Sequence, residues 1–153
     1  MMLDQVSIPS DVDFITIPNV VVVDAGALEA WRRIGAFATA GRFLNVPSKL
    51  LSGDGGIGSV RQIGDAVIEA MVGAGDTSYA YVQTKGPVAQ HHYHGSVALS
   101  AVDASKCTLT YTILYDQTAI PAGDRVEFHE RLAARFKGAA EAMKRVAEGG
   151  ELS

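Results

Sequence analysis

Residues 124–148, DRVEFHERLAARFKGAAEAMKRVAE, decide the fold of this 153-residue chain. Their apolar side chains recur at helical spacing, which predicts one long amphipathic helix with a single apolar stripe. The stripe consists of Val126, His129, Leu132, Phe136, Ala140, Met143 and Ala147. Because such a stripe must be buried against another layer of structure, the rest of the chain has to supply that layer.

The residues before this helix predict a sheet. Strand patterning occurs at 20–23, 48–52, 58–63, 66–72, 78–85, 89–101 and 107–116, and two short helices, 27–37 and 38–44, follow the first strand. Short turns between successive strands favour antiparallel pairing. We therefore predict an α+β fold in which a curved antiparallel sheet of about seven strands wraps around one long C-terminal helix. Residues 1–18 are interpreted as a leader, and residues 19–150 as one domain.

Composition excludes several classes of protein. The net charge is −4 and no basic block occurs, so a nucleic acid partner is not expected. The single cysteine, Cys107, permits no disulfide within the chain and is interpreted as a small buried hydrophobe. No apolar stretch is long enough to span a membrane, and no secretory signal is evident. These features together predict a cytoplasmic protein.

The order of these elements and four short motifs resemble the START-like, helix-grip or SRPBCC superfamily, and within it the bacterial polyketide cyclase/dehydrase and lipid-transport group. The motifs are Gly58-Ser59-Val60-Arg61, Val67-Ile68-Glu69, His92-Tyr93-His94-Gly95 and Phe136-Lys137-Gly138. The resemblance implies a cavity between sheet and helix that binds apolar or aromatic small molecules. Members include carriers, hormone receptors and enzymes, so the fold alone does not decide the function.

The alternation of side chains along a strand separates the histidines at 91, 92 and 94 onto two faces. Within 89–101 the odd positions are the apolar ones, which predicts that His91 and Tyr93 face the cavity. His92 and His94 would then face outward. A bulge at Gly95 would reverse this assignment.

Two further charged residues are expected to be neighbours. The turn after 58–63 places Arg61 beside Glu69 on the next strand. Either the pair is buried, because a buried carboxylate needs a partner, or it is a solvated surface pair. The resemblance favours an interior position for Glu69 and Tyr93, since in plant hormone receptors of this superfamily the matching residues line the pocket.

Other pocket walls follow from the same patterns. Alternation places Tyr111 and Tyr115 on one apolar face, and the resemblance favours the face that carries Tyr81 and Gln83. The stripe of the long helix adds His129, Leu132 and Phe136. These seven residues are the predicted ligand-binding set.

Glu69, His91, Tyr93 and Arg61 form the candidate catalytic set. An imidazole can take and give a proton near neutral pH, and a phenol or guanidinium can stabilise a developing enolate. We therefore hypothesise a cofactor-independent lyase, cyclase or dehydratase that acts on an aromatic or polyketide-like molecule. No nucleotide-binding glycine pattern is present, since the glycines at 53–58 precede a strand.

Two alternatives remain open. A non-catalytic carrier or sensor of an apolar, aromatic or lipidic ligand needs only the pocket. A metal site at His92 and His94 would use two histidines on one strand face, but zinc requires a third ligand that the nearby sequence does not offer. Monomer and homodimer are both compatible with the sequence.

Overall fold

A computed structural model describes residues 11–152 and contains one antiparallel sheet of seven strands. The strands are β1 (Phe14–Val23), β2 (Ser48–Ser52), β3 (Val60–Ile63), β4 (Val67–Gly75), β5 (Ser78–Lys85), β6 (His94–Asp103) and β7 (Lys106–Asp116). Their order across the sheet is β1-β7-β6-β5-β4-β3-β2. Consecutive strands are therefore neighbours from β2 to β7, and β1 closes the sheet by pairing with β7.

Helices cover the concave side of the sheet. They are α1 (Ala27–Ile34), α2 (Arg125–Ala147) and three 3-10 helices, Phe37–Leu44, Ala89–His91 and Ala122–Asp124. Side chains from α1, α2 and the sheet share one apolar core. Within residues 11–152, no helix combines the length and the apolar character needed to cross a membrane.

This architecture confirms the predicted helix-grip arrangement of a curved antiparallel sheet around a long C-terminal helix. The bounds of β2 and β5 agree with those predicted from the sequence. β1 is longer than expected, because it begins at Phe14 and so takes in residues assigned to the leader. Residues 1–10 of that leader lie outside the described part of the chain.

The prediction of a strand that begins at residue 89 was wrong. Residues Ala89–His91 form a 3-10 helix, His92 has a left-handed backbone with φ of 51°, and β6 begins only at His94. Pro87 has no N–H to donate to a neighbouring strand. The backbone N–H groups of Ala89 and His91 instead bond back to Gly86 and Val88, which curls the chain into a helical turn.

The long helix is held tightly only in its second half. Val126 is 70% exposed, although the sequence placed it on the apolar stripe. All buried residues of α2 lie at or after Phe136. The sheet therefore grips the C-terminal half of the helix, and its N-terminal half stands over more open space.

Gly95 forms no bulge, since β6 runs in unbroken register with β5 and β7 at this position. Its lack of a side chain serves another purpose. A Cβ atom at Gly95 would overlap the phenol carbon and oxygen of Tyr81, its partner across the strand pair. Glycine therefore makes room for the Tyr81 ring to lie across the sheet.

We expect Gly95→Ala to lower the free energy of unfolding by about 1–3 kcal/mol, because an added methyl group overpacks the ring of Tyr81. Gly138→Ala is the matched control, since nothing lies within 4 Å of that position on α2. It should stabilise the protein by roughly 0.5–1 kcal/mol through helix propensity. Urea unfolding of both variants tests the comparison, and equal effects would contradict it.

Asp116 ties the beginning of β1 to the end of β7. Its Oδ1 atom accepts hydrogen bonds from the backbone N–H of Asp13 at 3.0 Å and of Thr118 at 2.9 Å. The Thr118 hydroxyl donates a third, at 2.6 Å. The hydrogen bonds from Thr118 and Asp13 lower the pKa of Asp116 to about 2, because they favour the charged carboxylate.

Because the pKa of Asp116 is lower in the folded than in the unfolded state, its charged carboxylate stabilises the folded protein. This stabilisation is fully present above the unfolded pKa of about 3.9 and is lost as the pH falls through the folded value. The stability difference between the wild type and Asp116→Asn should therefore shrink between about pH 4 and pH 2. Urea unfolding of both proteins across this range measures it. A difference that stays constant with pH would show that the Asp116 carboxylate is not involved.

Candidate functional site

A buried ion pair joins β3 and β4, near the β2 edge of the sheet. Arg61 on β3 and Glu69 on β4 are directly opposite in the strand register. The Arg61 Nε and Nη2 atoms lie 3.0 and 2.8 Å from Glu69 Oε1. Arg61 is 2% exposed and Glu69 is 5% exposed, so the pair is an interior one and not the solvated surface alternative.

The rest of the Arg61 guanidinium is also satisfied. Its Nη1 atom donates to the carbonyl oxygen of Phe37 at 3.0 Å and lies 3.4 Å from the Tyr79 hydroxyl. Its Cζ lies 4.0 Å from the centre of the Phe37 ring and 4.6 Å from that of Tyr81. Aromatic faces attract cations, so this surrounding offsets part of the cost of removing the charge from water.

Burial acts differently on the two partners. Desolvation raises the pKa of the Glu69 carboxyl, and although Arg61, Gln83 and Arg135 oppose it, the pKa stays above its ordinary value. Burial lowers the pKa of Arg61, but Tyr79 and Glu69 outweigh it, so the net pKa is raised. The guanidinium therefore remains charged, whereas Glu69 holds its proton to a higher pH than an exposed glutamate does.

Three buried tyrosines connect this ion pair to the helix side of the pocket. The Tyr81 hydroxyl lies 2.6 Å from that of Tyr111 and 3.0 Å from that of Tyr93. Desolvation raises the pKa of all three phenols well above the ordinary value. They are therefore neutral groups that can donate hydrogen bonds in sequence.

The space around the ion pair is small. A cavity of about 40 Å³, here called the inner cavity, is lined by Arg61, Glu69, Tyr81, Tyr111, Phe136 and Met143, among others. Since a single water molecule needs about 10–15 Å³ of such space, the inner cavity has room for water and not for an organic substrate.

A larger opening lies beneath the first half of α2. It measures about 520 Å³ and is here called the groove. Its lining residues are Pro87, Val88, Gln90, His91, Tyr93, Phe128, Arg131, Leu132, Arg135 and Phe136. Arg135 and Phe136 also line the inner cavity, so they stand at the boundary between the two spaces.

His91 forms part of the groove wall. Its side chain is 7% exposed and its ring lies 5.4 Å from that of Phe128, edge to face. Nδ1 is buried without a hydrogen-bond partner among residues 11–152, and Nε2 lies 3.4 Å from Gln90 Nε2. A buried polar atom without a partner is costly, and a catalytic or binding role is one explanation for it.

The structure divides the candidate catalytic set into two pairs. His91 and Tyr93 line the groove, whereas Arg61 and Glu69 line the inner cavity. Strand parity placed His91 and Tyr93 inside, and both are buried. Tyr93 is linked to the ion pair only indirectly, since its hydroxyl bonds to that of Tyr81 and the Tyr81 ring packs against Arg61.

The ligand-binding candidates are divided in the same way. Leu132 and Phe136 line the groove, and Tyr81 and Tyr111 line the inner cavity. The remaining three candidates, Gln83, Tyr115 and His129, make other contacts. The Gln83 side chain accepts a hydrogen bond from the Val88 N–H at 3.1 Å, and the Tyr115 hydroxyl lies 3.3 Å from His129 Nδ1.

Six groove residues were not predicted from the sequence: Pro87, Val88 and Gln90 before β6, and Phe128, Arg131 and Arg135 on α2. The predicted stripe of the helix began at Val126, which rotated its face away from Phe128. Arg131 and Arg135 lie three residues after Phe128 and Leu132 respectively. The sequence did contain a signal for these two residues. Both arginines border an apolar stripe, and the aliphatic part of an arginine side chain is long enough to cover apolar surface.

The two outer histidines do not share a strand face. His92 lies outside β6 and His94 is its first residue, with Nδ1 of His94 2.8 Å from the carbonyl oxygen of His92. The geometry that motivated a metal hypothesis is therefore absent. In the described range 11–152, no three histidine, cysteine or acidic residues are grouped so as to hold a metal ion.

Solved structures share this fold at low sequence identity. A Thermobifida fusca protein solved by NMR is 17% identical, with a TM-score of 0.75 over 90% of this chain and 97% of that one. Norcoclaurine synthase from Thalictrum flavum, in complex with dopamine and hydroxybenzaldehyde, is 14% identical, with a TM-score of 0.66 over 100% and 98%. Ara h 8.0201 is 14% identical, with a TM-score of 0.65 over 90% and 100%.

Neither a family model nor a curated protein matches the sequence. At 14–17% identity the likeness to solved structures establishes the fold. One fold of this kind supports many activities, so the function has to be argued from the site.

The ion pair gives a stability prediction. Arg61→Met or Glu69→Leu alone should cost about 3–5 kcal/mol, because each leaves a buried charge without its partner. The double variant should cost less than the sum of the two, with a coupling energy of about 2 kcal/mol or more. Urea unfolding of the four proteins measures this cycle. Additive costs would show that the two charges do not depend on each other.

Proposed function

We propose that this protein is a cofactor-independent lyase, cyclase or dehydratase that acts on a small aromatic or polyketide-like molecule bound in the groove. One observation carries the proposal: the buried imidazole of His91, whose Nδ1 has no hydrogen-bond partner among the described residues, stands in the wall of an apolar opening of about 520 Å³. This volume lies within the range of about 300–1,000 Å³ that is typical of small-molecule sites.

The walls of the groove favour an aromatic ligand. Phe128 and Phe136 stand along one side of it, and Tyr93 packs against Phe136 with ring centres 5.9 Å apart at an angle of 29°. Flat apolar surfaces of this kind bind aromatic rings by offset or edge-to-face stacking. Leu132 adds aliphatic surface between the two phenylalanines along α2.

His91 is the proposed general base. In a neutral imidazole one nitrogen donates a hydrogen bond and the other accepts one, so one of them is free to take a proton. In a dehydration, the base would remove a proton from the carbon next to a carbonyl and return it to the β-hydroxyl group, which leaves as water. In an aldol cyclisation, the enolate so formed would attack a second carbonyl, whose oxygen then takes the proton. In a retro-aldol cleavage, the base would take the proton of the β-hydroxyl group, the bond between the α and β carbons would break, and the proton would go to the α carbon.

Tyr93 is the proposed stabiliser of the enolate that proton removal creates. If Tyr111 donates to Tyr81, and Tyr81 donates to Tyr93, then the Tyr93 O–H is free to donate to a ligand oxygen. Donors arranged in sequence polarise one another and strengthen the last bond. The 2.6 Å and 3.0 Å separations within the chain are those of O–H···O hydrogen bonds.

Arg61 and Glu69 act in this proposal as positioning residues. The Arg61 guanidinium packs against the ring of Tyr81 and lies beside the Tyr79 hydroxyl. This contact fixes the middle member of the tyrosine chain and thereby aims Tyr93. Neither charge needs to touch the ligand.

Two further observations support the proposal. The order of elements and motifs that resembles the polyketide cyclase/dehydrase group occurs here on a helix-grip fold, which supports placing the chain in the START-like superfamily. A protein of the same fold, norcoclaurine synthase, was solved with dopamine and hydroxybenzaldehyde, which are both aromatic.

A carrier or sensor of an aromatic or lipidic molecule is the second candidate function. The observation that favours it is the separation of Glu69 from the groove, which leaves an imidazole and a phenol as the inward acid–base groups. A carrier would return its ligand unchanged, and an enzyme would not.

The test begins with purified protein and a panel of aromatic β-hydroxy ketones and poly-β-ketones, followed by mass spectrometry. We expect turnover of at least one compound, and His91→Asn should lower its kcat by about 10²- to 10⁴-fold, since it removes the general base. His92→Asn is the control, because asparagine tolerates the left-handed backbone there.

Turnover unchanged in His91→Asn would remove His91 from the mechanism. If compounds of the panel bind and are recovered with both their masses and their chromatographic retention times unaltered, the carrier function is the correct one, since a cyclisation without loss of water changes the retention time and not the mass.

A further inference from the structure

We infer that the ligand of the groove carries an anionic group, a carboxylate or a phosphate, which Arg131 and Arg135 bind. This inference rests on the proposed function, because it names the class of molecule that the same groove takes. It would make the substrate an aromatic acid or aryl phosphate and not a neutral ring compound.

The two arginines lie on the groove face of α2. They are four residues apart, and both line the groove together with Phe128, Leu132 and Phe136. Like charges at this spacing repel each other. The helix therefore holds two cations side by side above an apolar floor, which is unfavourable unless something negative joins them.

No negative group of the described chain fills that role. Neither arginine takes part in a salt bridge or a side-chain hydrogen bond with any other residue of 11–152. Glu127, one turn before Arg131, lines an adjacent cavity with it and makes no ion pair. Arg135 acts on Glu69 at longer range and lowers its pKa, but the ion pair of Glu69 is with Arg61. The groove is therefore locally positive in a chain whose net charge is −4.

The chemistry of guanidinium indicates what would bind. Its planar fork makes paired hydrogen bonds to carboxylate and phosphate oxygens. Both arginines are exposed, and both line the groove. An anionic group at this rim would place an attached aromatic ring against Phe128 and Phe136, with the reacting carbon toward His91 and Tyr93.

Two fluorescent probes that differ by one anionic group test the inference. Anilinonaphthalene sulfonate carries a sulfonate on the ring system that phenylnaphthylamine has without charge. The wild-type protein should bind the sulfonate more tightly. The double variant Arg131→Gln/Arg135→Gln should weaken sulfonate binding about tenfold or more, and binding of the neutral probe by no more than about twofold.

Arg145→Gln is the matched control, because it removes the same charge from an exposed position of α2 that does not line the groove. It should change neither affinity by more than about twofold. Thermal unfolding of each variant, run in parallel, excludes probe binding to partly unfolded protein.

Competition then separates the two kinds of anion. Naphthoate or naphthyl phosphate, or both, should displace the bound sulfonate from the wild type better than neutral naphthalenemethanol does, and the better competitor identifies the group. Equal competition by all three, or a double variant that behaves like Arg145→Gln, would overturn the inference while leaving a neutral ligand possible. Failure of the wild type to bind either probe would overturn the proposed function and this inference with it.

Discussion

The buried pair of Arg61 and Glu69 is the constraint on which the rest of the structure depends. Two charges inside a sheet are stable only if hydrogen bonds and favourable surroundings replace the water that they lose. The chain supplies a backbone carbonyl from Phe37 and the faces of Phe37 and Tyr81. Because these groups come from a 3-10 helix and from β5, whereas the pair itself lies on β3 and β4, the pair fixes how the elements fit together.

That arrangement also decides where a ligand can bind. The ion pair and its aromatic neighbours occupy the deep part of the sheet, where only about 40 Å³ remains open. The space that can take an organic molecule lies beside it, under the part of α2 that the sheet does not grip. A hydrogen-bonded chain of tyrosines joins the two regions. The ion pair thus lies behind the groove and does not form part of its wall.

Much of the fold follows from the sequence, because it rests on local patterns. The helix at 124–148, the successive strands and the pairing of Arg61 with Glu69 across a short turn all depend on neighbours in the chain. The inward position of His91 was also predicted, although residues 89–91 are helical and not extended. With the left-handed backbone at His92, His91 and Tyr93 are both buried, as they would be in an alternating strand. A period-two sequence pattern does not reveal a turn of this kind.

The division of the pocket could not be read from the sequence. It depends on which part of α2 the sheet grips, and that is a property of packing between distant segments. The exposure of Val126 rotates the functional face toward Phe128, Arg131 and Arg135, which the helical pattern had assigned in part to solvent. The depth of the ion pair likewise depends on Phe37, a residue that precedes it by 24 positions.

We propose that ligands occupy the groove and not the space around the ion pair. Intermolecular nuclear Overhauser effects between bound phenylnaphthylamine and the methyl groups of the protein distinguish the two positions. We expect contacts to Leu132 and Val88, which line the groove, and none to Met143 or Ile63, which line the inner cavity. Contacts to Met143 and Ile63 without any to Leu132 would contradict it.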